Sequence, residues 1–266
     1  MMKLDLKAPH QKYFAKDGKQ VCGVTTILNA LAKEALYDWY PRVEREGIKA
    51  HVLGMVDNES YDGKVPAATV ARAFSSLPVW AKTGKPKWFG KSESSNAADL
   101  GTIAHARIEA WLHGTTLDPS GLDEALYAAS LAPLERFQEW WDGEGLELVA
   151  SEEQLVHPEL RYGGTIDFVA RDRDGKLVLG DIKTTKANRD WPYPTVIAQV
   201  AAYSDLWDVN HSEEGKEQWL ERHVVVRVGK TADDLGQQVW LSEKQMLHGM
   251  KLFLAAMAAY EAQREL

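Results

Sequence analysis

The chain has 266 residues, 45% of them hydrophobic, enough to bury the core of one large domain or of one domain with an insertion. Its 31 basic and 39 acidic residues leave a net charge of −8. That is not the footprint of a tight non-specific nucleic-acid binder, so any phosphate contact must come from a local basic patch. Cys22 is the only cysteine, which excludes an internal disulfide and a four-cysteine zinc or iron–sulfur site and fits a reducing cytosol. No apolar run is long enough for a membrane span, and Met1 to His10 hold no apolar segment of the secretory kind.

In chain order, residues 12–24 read as a β-hairpin around Asp17-Gly18, followed by a helix from Thr26 to Glu44 with Ile27, Leu28, Leu31, Leu36 and Trp39 at helical spacing. Residues 46–95 mix loops with a helix near 66–76. They hold a tract in which Lys82, Lys85, Lys87 and Lys91 interleave with Trp80, Trp88 and Phe89. Lysines for phosphates and rings for bases would suit a single-strand groove; a solvated loop with docked aromatics has the same composition. Gly90-Lys91-Ser92 and Gly229-Lys230-Thr231 imitate the end of a phosphate loop, but Lys85 and Val224 stand where its first glycine is required. ATP binding is rejected at both.

Asn96 is a candidate N-cap for a helix running to Leu112 or His113 and ending at Gly114, with Leu100, Ile103, Ala104, Ile108 and Trp111 on its core side. His105 and Glu109 lie one turn apart on an adjoining face. Residues 120–142 read as helical with a break at Pro133, and Leu146 to Val156 as one or two strands carrying Glu152 and Glu153. Thr165 to Arg171 and Leu177 to Thr184 are strands joined by Asp172-Arg173-Asp174-Gly175. Pro194 and Thr195 open a helix with Val196, Gln199, Tyr203 and Leu206 on one stripe. Two strands follow, His223 to Val228 and Gln237 to Leu241. Ser242 and Gln245 form a capping box for a final amphipathic helix.

The hairpin carries the chemistry. Asp181 and Lys183 are two apart on a strand and share a face. With a three-residue turn, Asp167 stands directly opposite Asp181, and like charges facing at about 5 Å are destabilising. A solvated Asp–Lys pair would contribute only about 0–1 kcal/mol. Here Leu177, Val178, Leu179 and Ile182 flank the charges, so the strand is interior and its charges need a partner or a metal. A divalent cation is the simplest solution.

Asp167 followed by Asp181-Ile182-Lys183 resembles the D…(D/E)-x-K signature of the PD-(D/E)XK nucleases. Gln199 to Tyr203 fits the Q-x-x-x-Y element of their RecB-like exonuclease branch. Gly101-Thr102-Ile103-Ala104-His105, with Glu109, resembles the helical histidine motif of that branch. Ser151-Glu152 stands where the branch often places an acid. The proline of the signature is absent, Ile166 standing before Asp167. The resemblance is close from Leu100 to Tyr203 and loose elsewhere. It implies an α/β fold with a restriction-endonuclease-like core: a central mixed β-sheet flanked by helices, in one nuclease domain with residues 1–95 as a helical N-terminal elaboration and 96–266 as the core.

The resemblance also implies Mg²⁺ or Mn²⁺ held by Asp167, Asp181, the Ile182 carbonyl, Glu152 and His105, with Lys183 serving the attacking water or the charge on phosphorus. Gln199 and Tyr203 would hold DNA or the active-site loop. Lys186, Arg189, Lys87 and Lys91 are candidate phosphate contacts. Some RecB-like nucleases carry an iron–sulfur cluster; one cysteine cannot. The expected activity is a DNA exonuclease in recombination, repair or phage DNA metabolism. A structure-specific endonuclease on the same core and a non-catalytic DNA-end-binding module are the alternatives. The setting implied is the bacterial cytosol, phage-encoded or not, with DNA and a single-strand annealing or recombination protein as partners.

Overall fold

The computed structural model of the protein describes residues 1–6, 11–31, 89–185, 191–212, 219–229 and 234–265. By internal contacts the chain divides into two units, Met1–Leu31 with Asp99–Leu266, and Ala32–Ala98. The elements are β1 (Tyr13–Phe14), β2 (Gln20–Gly23), α1 (Val24–Leu28), α2 (Phe89–Leu112), α3 (Glu124–Ala129), α4 (Leu131–Glu144), β3 (Glu147–Val156), β4 (Tyr162–Arg171), β5 (Leu177–Lys183), α5 (Pro194–His211), β6 (Arg222–Arg227), β7 (Gln237–Trp240) and α6 (Glu243–Glu265).

The strands form a seven-stranded mixed sheet in the order β1-β2-β4-β5-β6-β7, with β3 on the other edge of β4. This is the expected restriction-endonuclease-like α/β core. β5 is interior, antiparallel to β4 and parallel to β6. Its alternation feeds both faces, as a doubly covered strand requires. Leu177 and Leu179 pack with α1, α5 and α6, through Ile27, Leu206 and Phe253. Val178 and Ile182 pack with α2 and α4, through Ile108, Phe137 and Trp141.

Both hairpins close with the same turn. Ala15 N–H bonds Lys19 O around Lys16-Asp17-Gly18, and Asp172 N–H bonds Lys176 O around Arg173-Asp174-Gly175. Gly18 and Gly175 take φ of 76° and 81°, the left-handed position of a three-residue loop.

Three element boundaries differ from the sequence expectation. The helix expected over Thr26–Glu44 begins at Val24 and ends at Leu28, with Asn29 as C-cap; the part of that expectation beyond Leu31 falls outside the described residues, as does the helix expected near 66–76. α2 begins at Phe89, so Asn96 lies inside it; a cap-forming residue without a following proline does not stop a helix. The helical break falls at Ser130, not Pro133. Pro133 sits in the first turn of α4, where its missing N–H has no intrahelical bond to lose.

Candidate metal centre in a strand fork

β4 shares one edge between two partners. β2 pairs it at Tyr162 and Gly163, and β5 pairs it from Phe168 to Arg171. Between them a fork opens, and Asp167 lies in it. The register Phe168↔Gly180, carried one step further, sets Asp167 against Asp181 as the three-residue turn requires. Backbone pairing stops one step short. Instead the Ile182 N–H donates to Asp167 Oδ2 at 2.6 Å, so the carboxylate stands in for a strand carbonyl.

The pleat reverses at this level on two strands. Ile166 and Val169 face α5 and α6, whereas Phe168 and Ala170 face α2 and α4, so alternation breaks around Asp167. On β3, Glu152 takes φ of 50°, a left-handed value uncommon for a non-glycine residue. Pairs flanking it, Ser151↔Phe168 and Glu153↔Ile166, place Glu152 across from Asp167. Strand irregularities of this kind re-aim side chains beside active sites. Ser151 Oγ is 2.8 Å from Nε2 of His113, the residue just after α2, which ties the irregular segment to the end of the helix.

α2 supplies the histidine. A methyl group on Gly101 would come within 2.7 Å of Thr184 Oγ1, so glycine allows the helix to approach the end of β5. One turn on, His105 Nδ1 lies 3.9 Å from Asp167 Oδ1, beyond hydrogen-bond reach. His105, Glu152 and Asp167 each offer a ligand atom, and these lie within 4.8 Å of one another.

Asp181, 1% exposed, adjoins this triad but is engaged by lysine. Lys183 Nζ donates to Asp181 Oδ1 at 2.7 Å. Oδ2 lies 2.6 Å from the same nitrogen, yet has no partner in hydrogen-bonding geometry. The electrostatics describe a site lacking positive charge. Burial, then Asp167 and Glu109, push Glu152 up to about 8. Burial pushes Asp181 up to about 6 and raises Asp167, against the pull of Lys183. Burial and then Lys183 hold the His105 imidazole down to about 4, so it is a neutral ligand-type nitrogen at pH 7.

A divalent cation suits this set. One imidazole and several carboxylates fit Mg²⁺ or Mn²⁺, and the Lys183 ammonium, engaged by Asp181, leaves the charges of Glu152 and Asp167 without a direct partner of their own in the triad.

Of the other expected residues, Gln199 Nε2 donates to the Tyr203 hydroxyl at 2.9 Å. Burial, then the charges of Asp181 and Asp167, raise the Tyr203 phenol well above its usual range, which puts the ring beside the fork. A methyl on Gly164 would meet that ring at 2.6 Å. Lys186, Arg189, Lys82, Lys85, Lys87 and the side chain of Lys91 lie outside the described residues.

Sequence reasoning missed three contributors. His113 sits two turns beyond His105 on the same stripe, and that spacing was available to read. Tyr13, whose hydroxyl lies 3.0 Å from Thr165 Oγ1, carries no sequence signal. Nor does Arg227, paired with Lys183 across β5 and β6, whose guanidinium donates to Thr185 O and to Asp234.

Similarity to solved structures is broad and distant. A candidate exonuclease from Eubacterium rectale is 10% identical, with 87% of each chain covered and a TM-score of 0.40. An alkaline exonuclease from Laribacter hongkongensis is 16% identical over 64% of this chain and 87% of its own, with a TM-score of 0.35. The same enzyme in complex with dAMP gives a TM-score of 0.31 at the same identity and coverage. No curated protein matches the chain. The sequence profile of the PD-(D/E)XK nuclease superfamily matches residues 81–261, a span that includes His105, Glu152, Asp167, Asp181 and Lys183. With that match over more than half its length, and the acid–acid–lysine arrangement on adjoining strands, the chain belongs to the PD-(D/E)XK nuclease superfamily.

Proposed function

We propose that the protein is a Mg²⁺- or Mn²⁺-dependent DNA exonuclease, acting in DNA recombination, repair or phage DNA metabolism. The observation that carries the reading is the convergence of His105, Glu152 and Asp167 within 4.8 Å, beside the buried Asp181–Lys183 pair. His105, Glu152, Asp167, Asp181 and the Ile182 carbonyl would hold the cation. A cation bound there would polarise the scissile phosphate and make water a stronger nucleophile.

The remaining work falls to the chain. Lys183, fixed by Asp181, presents an ammonium beside the acids, where it orients the attacking water or balances charge growing on phosphorus. Tyr203, braced by Gln199, closes the α5 side of the fork and holds the substrate strand or the loop after β5. The preference for DNA ends rests on the Q-x-x-x-Y element, with DNA as the substrate and a single-strand annealing or recombination protein as its companion in a bacterial cytosol.

End-labelled linear DNA and covalently closed circles, single- and double-stranded, incubated with Mg²⁺, Mn²⁺ or EDTA, test this reading. Mononucleotides or short oligomers released from linear DNA, with circles spared, are expected. Nicked or linearised circles would establish an endonuclease instead. Asp181→Ala should abolish cleavage, and Lys183→Ala should lower it by about 10²-fold or more with Mn²⁺ affinity retained. An Asp181→Ala protein that cleaves at the wild-type rate would sink the metal assignment.

A further inference from the structure

The β1–β2 hairpin docks onto the open edge of β4, next to the fork. Tyr13 packs where a side chain on Gly163 would otherwise lie: an added methyl would meet its Cβ and Cγ at 2.5 Å. Its hydroxyl reaches Thr165 Oγ1 at 3.0 Å, and Gln11 Oε1 accepts from the same threonine hydroxyl. Thr165 precedes Asp167 by two residues, about 7 Å along the strand. At the far end of the hairpin, the Arg161 guanidinium grips Asp17 through two contacts, NH1 to Oδ2 at 3.1 Å and NH2 to Oδ1 at 3.2 Å. The hairpin is therefore tied to β4 at the base and at the tip.

Its outer face has a different character. Tyr13 is turned toward β4, so Phe14 and Lys12, on the opposite face of the strand, turn outward. Phe14 is 54% exposed, with Lys12 and Lys16 exposed on either side of it at the same alternation; Lys19 stands across from Ala15 and shares the face of Tyr13. Asp17 is the hairpin's one acid between residues 11 and 23, and Arg161 neutralises it. In a chain with net charge −8, this aligns two lysines and an exposed ring along one face of a hairpin whose base is tied to the strand that carries Asp167. β1 is also a terminal strand of the sheet, so no further strand covers it among the described residues.

We propose that the outer face of this hairpin is a contact surface for a single strand of nucleic acid leading to or from the fork, with Lys12 and Lys16 against phosphates and Phe14, between them, stacked on a base. The proposal builds on the nuclease reading, since the anchor through Tyr13 and Thr165 ties the base of the hairpin to the strand that carries Asp167. Lysines that track phosphates and aromatic rings that stack on bases, without sequence preference, are what a strand of any sequence needs.

Fluorescein-labelled oligothymidylate, titrated in EDTA so that nothing is cleaved, tests it by anisotropy over a salt series. In a K12Q/K16Q protein the log–log salt slope should fall by about 1.4, from roughly 0.7 per phosphate contact. In F14A the affinity should fall about 5- to 100-fold with the slope unchanged. Mn²⁺ affinity by calorimetry should match wild type in both, because none of the three residues belongs to the metal set. Wild-type isotherms for both variants, or a wild-type protein that binds no oligothymidylate at low salt, would overturn the proposal; a hairpin that serves a protein partner gives the first result. Strand binding that depends on the hairpin, in a protein that cleaves no DNA with either metal, would refute the nuclease reading and leave the surface standing.

Discussion

At the scale of single residues, the histidines divide by what their nitrogens touch. His157 Nδ1 accepts from the amides of Glu159 and Leu160, and its Nε2 lies 3.3 Å from Asp205, which also accepts from Tyr162. Both nitrogens are engaged, so this ring is a structural clamp. His223 is half-buried, sits 2.8 Å from Ser204 Oγ and is held down to about 4 by desolvation alone. His105 is different. Its nearest carboxylate is 3.9 Å away, too far to bond directly and close enough to share an ion. A ligand role therefore predicts that His105→Ala leaves the EDTA melting temperature nearly unchanged and shrinks the shift induced by Mn²⁺, which grows as the logarithm of metal concentration over its dissociation constant. Melting curves of both proteins, each with EDTA and with Mn²⁺, decide the matter. An equal metal-induced shift would remove His105 from the centre.

At the scale of elements, the site depends on close approaches that only glycine permits. A methyl on Gly180 would stand 1.8 Å from Phe168 Cζ. Phe168 cannot step aside, because it is fully buried against Phe137, Trp140 and Trp141 at ring separations of 5.7, 6.1 and 5.3 Å. Gly180→Ala should thus cost about 1–3 kcal/mol by overpacking. Since Gly180 precedes Asp181, it should also weaken Mn²⁺ binding. An unchanged urea midpoint would contradict this account of the packing. The sequence made much of this region legible: the Asp-Gly turns set the hairpins, and turn length alone set Asp167 against Asp181. The close packing of Gly180 against Phe168 left no mark on the pattern, because it joins residues on different strands. The reversal of pleat at Glu152 was equally hidden, since period-2 reasoning assumes an unbroken strand and Glu152 departs from it at φ 50°. For the lysine tract and for Lys186 and Arg189, placement lies outside the described residues, so their part in DNA contact rests on composition.

For the whole molecule, pH tests whether the acidic cluster is held at a cost that a cation relieves. Glu152 and Asp181 move from ordinary values of 4.5 and 3.8 up to about 8 and 6, and half-buried Asp208 also rises to about 6. Across that window the metal-free fold keeps protons that the unfolded chain has released, so stability must fall as pH rises toward 8. His105 and His223 act in the opposite direction. Each falls from 6.5 to about 4, so the unfolded chain takes up protons that the fold refuses, and their contribution to stability falls as pH drops from 6.5 toward 4. The three raised carboxylates outnumber these two histidines, so in EDTA the melting temperature should decline as pH rises from 4 to 8, less steeply where the histidines oppose them. Cation binding displaces the protons held by the carboxylates, so the stabilisation from Mn²⁺ should grow steadily between about pH 6 and pH 8. Melting curves at matched free Mn²⁺ measure the increment directly. Equal increments at both ends of that range would mean that the raised carboxylates are not where the cation binds, and would move the centre away from Glu152 and Asp181.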